Sequence, residues 1–387
     1  MKKRTVSILL LIAMLAALSG CSSLFKKEYL SVSEYADDTN DGLSNDISRI
    51  SDYEGLKDAI ISMVNSHKTE GRLRFTDYEG ALPGDISRAW SEVKSESALA
   101  SYAVEYMPYY LSPIATYYEA VVYITYKHTQ GEIDAIRYVT GKPQLAEAID
   151  PILDSMGSYT AIRITSPTIT EEEVKNAVYK AYAANPAACV VMPVVNVRMH
   201  PQSGMHRIIE IELEYGWKLS ELQKMKSALV NKINELSRSL SSDKDAVFAM
   251  SAYNKLAKSC TYDSAGTLGG GRIGFNSGLS STAYGALIEG NADSLGIALA
   301  YSALCHATGI ECVVVNGSLD NEEHSWNIIK IEETYYHVDV SASSALGIGN
   351  TFMRSDLQMQ VKYTWDKSLY PECNGVKSYH DVLSRNF

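Results

Sequence analysis

The stretch from residue 284 to residue 340 constrains the fold more than any other part of the 387-residue chain. A polar segment ends at Asp293 and Ser294 and runs directly into apolar residues at helical spacing. Strand-like segments follow, of which the first begins at Cys312, the next begins at His324 and the last runs from Tyr335 through Asp339 to Val340. The pattern therefore predicts a helix that begins at Leu295, followed by a strand with His324 at its start and a strand that carries Asp339.

The order of these residues resembles the transglutaminase-like (transglutaminase/protease) superfamily, an α/β fold related to papain-type hydrolases. The resemblance implies a nucleophilic cysteine at the helix N-terminus, a histidine at the start of one strand and an aspartate on the next. His324, followed by Trp326 and Asn327, stands at the histidine position, and Asp339 stands at the aspartate position. The nucleophile position is occupied by Ser294 instead of cysteine.

The exchange of cysteine for serine leaves two functional hypotheses. A helix N-terminus and a nearby imidazolium lower the pKa of a thiol enough to preform the thiolate, but a serine hydroxyl remains protonated at neutral pH. The first hypothesis is therefore that Ser294, His324 and Asp339 are a remnant triad in a catalytically inactive, pseudoenzyme domain that binds a ligand in its cleft. The alternative is a serine-dependent amide hydrolase or acyltransferase, in which Ser294 attacks, His324 is the base and Asp339 orients it.

Four further side chains are candidates to line the cleft: Asp293, Trp326, Asn327 and His337. Either Ser294 or Asp293 is suited to cap the helix. Asp293 also places negative charge where an oxyanion would need stabilisation, which disfavours acyl transfer. His337 lies two residues before Asp339 and therefore on the same strand face, as a second polar group in the cleft or as a solvated surface residue.

The N-terminus has the pattern of a secretory signal. Three basic residues among the first four precede an apolar run from residue 6 to 18, too short for a comfortable membrane span. Residues 18–21, Leu-Ser-Gly-Cys, resemble a bacterial lipobox, which implies cleavage before Cys21 and its acylation, with palmitate among the lipids. An ordinary signal peptide with a chance cysteine is the alternative. We expect residues 1–20 to be removed and residues 21–50 to form a flexible tether at the outer face of the bacterial membrane.

Charge and cysteine usage narrow the class of partner. The formal net charge is −11, and loss of the signal peptide, with its three basic residues and no acidic one, lowers it to −14. Such a chain, without a basic stripe interleaved with aromatics, is a poor candidate for binding nucleic acid. No Cys-x-x-Cys or His-x-x-x-His set is present, so we expect neither a metal nor a cofactor. Five cysteines follow Cys21, an odd number that cannot all pair internally.

Residues 51–240 contain a pattern that recurs at a constant offset. Residues 72–76 parallel residues 161–165, and residues 121–126 parallel residues 210–215. Each copy has the order strand, helix, two strands joined as a hairpin, and helix. The interpretation is two tandem βαββα-type modules, and the alternative is repeated local patterning inside one α+β domain.

The sequence as a whole predicts the α+β class. The expected divisions are a first module at 51–153, a second at 154–240 and the transglutaminase-like domain at 241–387. The expected function is that of a membrane-anchored extracytoplasmic lipoprotein that binds an envelope protein or a cell-wall peptide.

Overall fold

A computed structural model describes residues 47–264 and 278–384. The predicted signal peptide, Cys21 and residues 21–46 of the predicted tether lie outside the described residues. Within the described part of the chain, no helix combines the length and the hydropathy needed to cross a membrane. Helices and strands alternate throughout, which confirms the α+β class.

The first part of the described chain forms a four-stranded sheet with helices on one face. In chain order the elements of this part of the chain are β1 (Ile47–Ile50), α1 (Tyr53–Asn65), β2 (Glu70–Phe75), α2 (Leu82–Glu96), α3 (Ala98–Ala103), β3 (Val104–Tyr106), β4 (Tyr109–Ile114), β5 (Tyr117–Tyr123), β6 (Thr125–Tyr126) and α4 (Gln130–Asp134). The strand order is β1-β2-β5-β4, with β1 and β2 parallel and the other neighbours antiparallel. Apolar residues of α1 and α2, such as Leu56 and Ile86, bury the inner face that includes Leu73.

Strand β1 lies in the segment that the sequence assigned to the flexible tether. Residues 47–50 pair with residues 72–75 of β2, so the folded part begins before residue 51. The strand has only four residues, of which Ile50 alone is fully buried. A hydrophobic pattern this short carries little signal, because its stabilisation comes from pairing with a distant strand.

A second four-stranded sheet follows. Its elements are β7 (Arg137–Val139), α5 (Leu145–Asp154), β8 (Tyr159–Thr165), α6 (Glu171–Ala184), β9 (Val194–His200), β10 (His206–Glu214) and α7 (Leu219–Ser239). The order is β7-β8-β10-β9, with one parallel pair followed by two antiparallel pairs, as in the first sheet. The predicted order of strand, helix, hairpin and helix did not include the strand and helix that begin each sheet, which are β1 and α1 in the first sheet and β7 and α5 in the second. Here β7 lies before residue 154, the predicted start of the second module, and α5 ends at Asp154. A strand of three residues such as β7 gives little sequence signal.

The last part of the described chain forms a five-stranded sheet. The elements of this part of the chain are α8 (Asp245–Ser259), β11 (Thr261–Tyr262), β12 (Asn291–Ala292), α9 (Ser294–His306), β13 (Cys312–Leu319), β14 (Glu322–Ile331), β15 (Thr334–Val338), α10 (Ser343–Leu346), α11 (Ile348–Thr351), β16 (Phe352–Arg354), α12 (Asp356–Met359), β17 (Tyr363–Thr364) and α13 (Tyr379–Leu383). The antiparallel order is β16-β15-β14-β13-β17.

Helix α9 is apolar on all sides and almost wholly buried, as expected for a helix enclosed by other elements. One continuous hydrophobic core includes Val178 of α6, Leu299 of α9 and Ile329 of β14. The second sheet and the C-terminal sheet therefore share a core across the boundary predicted at residue 240, and α6 is held firmly beside the C-terminal sheet.

Candidate functional site

The start of helix α9 positions Asp293 and Ser294. Asp293 is the N-cap: its Oδ1 accepts the N–H of Gly296 at 2.9 Å, and its Oδ2 accepts the hydroxyl of Ser281. Of the two capping candidates, Asp293 therefore takes the role, and the helix begins at Ser294 rather than at Leu295. The carboxylate also offsets the partial positive charge of the helix N-terminus, which would otherwise stabilise an anion there.

Gly296 allows a neighbouring segment to pass close to the first turn of α9. A Cβ at this position would overlap the carbonyl oxygens of Ser280 and Thr282. The close approach holds residues 280–282 against the helix and so places the Ser281 hydroxyl at the Asp293 carboxylate.

Ser294 lies beside the residue that follows His324. The Oγ of Ser294 accepts the backbone N–H of Ser325 at 3.2 Å, and only 4% of Ser294 is exposed. Among the described residues, no hydrogen bond joins this hydroxyl to the imidazole of His324. The predicted proximity of residues 294 and 324 is thus present: the Ser294 oxygen accepts from the peptide backbone, and no base among the described residues accepts its proton.

His324 and Asp339 form a buried pair. The Nε2 of His324 lies 2.7 Å from Oδ2 of Asp339, which also accepts the hydroxyl of Tyr363 at 2.8 Å. The other carboxylate oxygen accepts the hydroxyl of Ser341 at 2.6 Å and the N–H of Ala342 at 3.0 Å. Asp339 is wholly buried and has donors on every side, so it accepts the Nε2 proton and fixes the tautomer of His324. In the neutral ring, Nδ1 is then the acceptor.

Electrostatics keep the Asp339 carboxyl ionised. Burial alone would raise its pKa, but the charge and hydrogen bond of His324, with the hydrogen bonds from Ser341 and Ala342, hold that pKa below its ordinary value. For Tyr363, burial and the Asp339 charge raise the pKa well above its usual range, so the phenol remains a donor. The base-orienting half of a Ser-His-Asp arrangement is therefore complete.

Trp326 and His337 lie behind His324 and do not line a cleft. Trp326 is 1% exposed, its ring centroid lies 6.3 Å from that of His324, and its Nε1–H donates to Nδ1 of His337 at 2.9 Å. His337 is wholly buried, so the expectation of a solvated surface residue is wrong. Asn327 is also buried, and its Nδ2 donates to the carbonyl of Ala298 at 3.0 Å, which ties β14 to α9.

His337, Asp356 and Cys373 bring three possible metal-ligand atoms within 4.8 Å of one another. The indole of Trp326 is only a donor, so Nδ1 of His337 is the acceptor and Nε2 carries the proton. That proton points to Oδ1 of Asp356 at 2.8 Å. A metal at Nε2 would require the proton to move to Nδ1, where it would oppose the Trp326 N–H. The donor set therefore fits a hydrogen-bonded support for Trp326 and not a metal centre.

Several site residues escaped the sequence analysis. Ser341 follows Asp339 by two positions, but both lie beyond the end of β15, so strand alternation gave no signal for it. Tyr363, on β17, and Asp356 come from later segments whose approach depends on the sheet order. The five described cysteines (Cys189, Cys260, Cys305, Cys312 and Cys373) are all free thiols.

Comparison with known proteins agrees with this geometry in part. Residues 232–340 match the transglutaminase-like superfamily, so the chain contains a transglutaminase-like domain. No curated protein matches the chain. One solved structure, described as "Crystal structure of a TGase", aligns at 12% identity and a TM-score of 0.28. The alignment covers 65% of this chain and 66% of that one, just under two thirds of its length. A TM-score this low supports no inference about shared architecture or activity.

Proposed function

We propose that the chain is a lipid-anchored extracytoplasmic protein whose transglutaminase-like domain has exchanged its nucleophilic cysteine for Ser294 and binds a peptide ligand without catalysis. The observation that carries the proposal is the hydrogen bond from the Ser325 N–H to Ser294 Oγ, with none to His324. A serine needs a base at its hydroxyl proton during attack, because its own pKa is far too high for an alkoxide at neutral pH.

The remaining groups suit recognition of peptide bonds. Nδ1 of His324 is an acceptor in the neutral ring, since Nε2 donates to Asp339. A peptide N–H is the complementary donor. The protein or cell-wall peptide that we infer as the ligand offers such groups at regular intervals along its backbone.

The first prediction concerns covalent reactivity of Ser294. We expect a fluorophosphonate probe to leave Ser294 unmodified in the wild-type protein, because the hydroxyl lacks a base partner. Mass spectrometry of the peptide that contains residue 294 measures the modification, and a known serine hydrolase in the same tube serves as the positive control. Labelling that is present in wild type and absent in Ser294→Ala would refute the proposal.

Ligand binding is measured through a chemical modification of the same residue. In Ser294→Cys, soluble cell-wall peptides in excess should slow the alkylation of residue 294 by iodoacetamide, while alkylation of the exposed thiols of denatured protein stays unchanged. An alkylation rate that no envelope peptide changes would argue against a cleft at residue 294.

A second candidate function is serine-dependent amide hydrolysis or acyl transfer on envelope peptides. It is favoured by one observation: four donors hold the Asp339 carboxylate, and His324 is thereby oriented as a base. In this case the proton of the Ser294 hydroxyl, whose oxygen accepts from the Ser325 N–H, would turn toward His324 when a ligand binds. The fluorophosphonate experiment decides between the two functions.

The inference of a membrane anchor depends on residues 18–21, which include Cys21 and lie outside the described residues. We expect cells grown with labelled palmitate to incorporate the label into the wild-type protein and not into Cys21→Ala. The Cys21→Ala protein should also leave the membrane fraction, whereas Cys189→Ala retains label and location. Label retained in Cys21→Ala would contradict lipidation at this residue.

We also infer that the two N-terminal sheets are tandem modules. The shared strand order and pairing directions of β1-β2-β5-β4 and β7-β8-β10-β9 support this interpretation. Their inferred role is to present and flank the C-terminal site.

A further inference from the structure

Helix α6 reaches the candidate site through the side chain of Tyr179. The hydroxyl accepts from Nδ2 of Asn316 at 2.9 Å and donates to Oδ1 of the same carboxamide at 3.2 Å. Asn316 lies on β13, 137 residues later in the chain, and its backbone N–H donates to the hydroxyl of Tyr370 at 3.2 Å. Burial, with the nearby Tyr370 and Asp293, raises the pKa of Tyr179 to about 12 against the opposing effect of Asn316, so the phenol is neutral.

Hydrogen bonds continue inward from Asn316 to Ser294. The hydroxyl of Ser325 donates to Oδ1 of Asn316 at 2.8 Å, and the N–H of Ser325 donates to Ser294 at 3.2 Å. Exposure falls in the same order: Asn316 is exposed, Ser325 is 8% exposed and Ser294 is 4% exposed. The hydrogen bonds that start at Tyr179 and Asn316 therefore lead from the protein surface to the buried Ser294.

The Tyr179–Asn316 contact can open by side-chain rotation while α6 stays in place. The buried residues of α6, which include Val174, Val178 and Ala181, pack in the core that also contains α9. Asn316 is by contrast at the surface, and its bonds to Tyr179 join neutral groups. Such a bond shifts an equilibrium by about a factor of ten or less, so it breaks without loss of core packing.

We propose that Tyr179 and Asn316 form a gate that closes the Ser294 site and opens when an incoming peptide amide replaces the Asn316 carboxamide. This inference rests on the proposed ligand-binding cleft beside Ser294. The carboxamide oxygen of Asn316 accepts one hydroxyl from Tyr179 and one from Ser325. A peptide carbonyl offers the same acceptor, so a peptide backbone satisfies both hydroxyls after the carboxamide has rotated away.

The test measures access to residue 294 by alkylation of a thiol placed there. Full-length Ser294→Cys is treated with iodoacetamide, and mass spectrometry follows the peptide that contains residue 294. Adding Tyr179→Phe removes the gate hydroxyl and preserves the ring, and we expect a roughly 3- to 10-fold faster reaction, the range set by one neutral hydrogen bond. Tyr110→Phe, at a tyrosine that is 70% exposed, is the matched control and should leave the rate unchanged.

Cys305 provides an internal measure of unfolding, because it is wholly buried in the same chain. The gate is supported if Tyr179→Phe accelerates alkylation at residue 294 and not at Cys305. Equal rates with and without Tyr179→Phe, or a parallel rise at Cys305, would overturn it. Fluorophosphonate labelling of Ser294 would refute the proposed absence of catalysis but would not alter this ratio, which reports access alone.

Discussion

Replacing Asp339 with asparagine is expected to lower the free energy of unfolding by about 3–5 kcal/mol at pH 7, the range seen when one partner of a buried charged pair is removed. The carboxylate is wholly buried, and each oxygen accepts from two donors: His324 and Tyr363 at one oxygen, Ser341 and Ala342 at the other. A carboxamide has only one oxygen, so its NH₂ group must face one of these donor pairs. Each pair contains one N–H, which then loses its acceptor, and one hydroxyl, which must turn to accept from the NH₂ group; the N–H left without an acceptor is costly.

The effect of Asp339→Asn should depend on pH in a defined direction. The native environment holds the pKa of Asp339 below its ordinary value of 3.8, so the folded state binds this proton more weakly than the unfolded state. The stability that the carboxylate contributes is therefore complete above about pH 4–5 and is lost as pH falls through the native pKa. The difference between wild type and Asp339→Asn should be constant from pH 5 to 8 and should shrink below about pH 4.

Urea denaturation at a series of pH values measures this difference. Asp320→Asn is the control, because the side chain of Asp320 is 60% exposed and, within the described part of the chain, forms a single ion pair, with Lys362 at 3.1 Å. An exposed pair contributes at most about 1 kcal/mol, so the control should unfold close to wild type. A change below about 1 kcal/mol for Asp339→Asn at pH 7 would contradict the role assigned to the carboxylate.

The resemblance to the transglutaminase-like superfamily indicated His324 and Asp339 from the sequence. His324 lies in β14 and Asp339 directly follows β15, and the antiparallel pairing of the two strands, which starts at Asn327 opposite Val338, places the two segments side by side. Ser294 was predictable as well, since a polar segment before an apolar helical pattern marks a helix start. The orientation of its hydroxyl was not, because it depends on the backbone N–H of Ser325, a contact without any sequence signature.

Other parts of the site depend on long-range packing that no local pattern encodes. Tyr179 meets Asn316 because the second sheet and the C-terminal sheet share a core, and a pair 137 residues apart leaves no periodic signal. His337 was misjudged for a related reason. A strand histidine is expected to face solvent when no buried partner can be identified from the sequence. In the structure the partners of His337 are Trp326 and Asp356.

Replacing His337 with phenylalanine is expected to lower the free energy of unfolding by about 1–3 kcal/mol near pH 7.5, the cost of leaving the buried indole N–H of Trp326 without an acceptor, with a smaller contribution from Asp356, whose side chain is 19% exposed. The imidazole is wholly buried and accepts from the indole of Trp326 while it donates to Asp356. Phenylalanine has similar volume but no polar atom, so the Trp326 N–H and the Asp356 carboxylate each lose a partner. Because Trp326 packs against His324, the loosened indole should also disturb the site.

The pH dependence of His337→Phe runs over a different window from that of Asp339→Asn. Burial lowers the pKa of His337 below its ordinary 6.5, although Asp356 opposes the shift. Below pH 6.5 the unfolded chain therefore takes up this proton while the folded state resists it, and wild-type stability falls as pH is lowered. The variant lacks this titration, so the stability gap between wild type and His337→Phe should be full above about pH 6.5 and should narrow toward pH 5.

Urea midpoints between pH 5 and 8 test this difference, with His206→Phe as the control at an exposed histidine. The indole N–H signal of Trp326 in proton NMR provides a second readout, because loss of its acceptor should shift the signal upfield in His337→Phe and leave it unchanged in His206→Phe. A stability gap that stays constant with pH would show that His337 does not titrate with folding, and an unmoved indole signal would show that it does not hold Trp326. Agreement of both readouts would show that Asp356 supports His337, that His337 supports Trp326, and that Trp326 in turn supports His324.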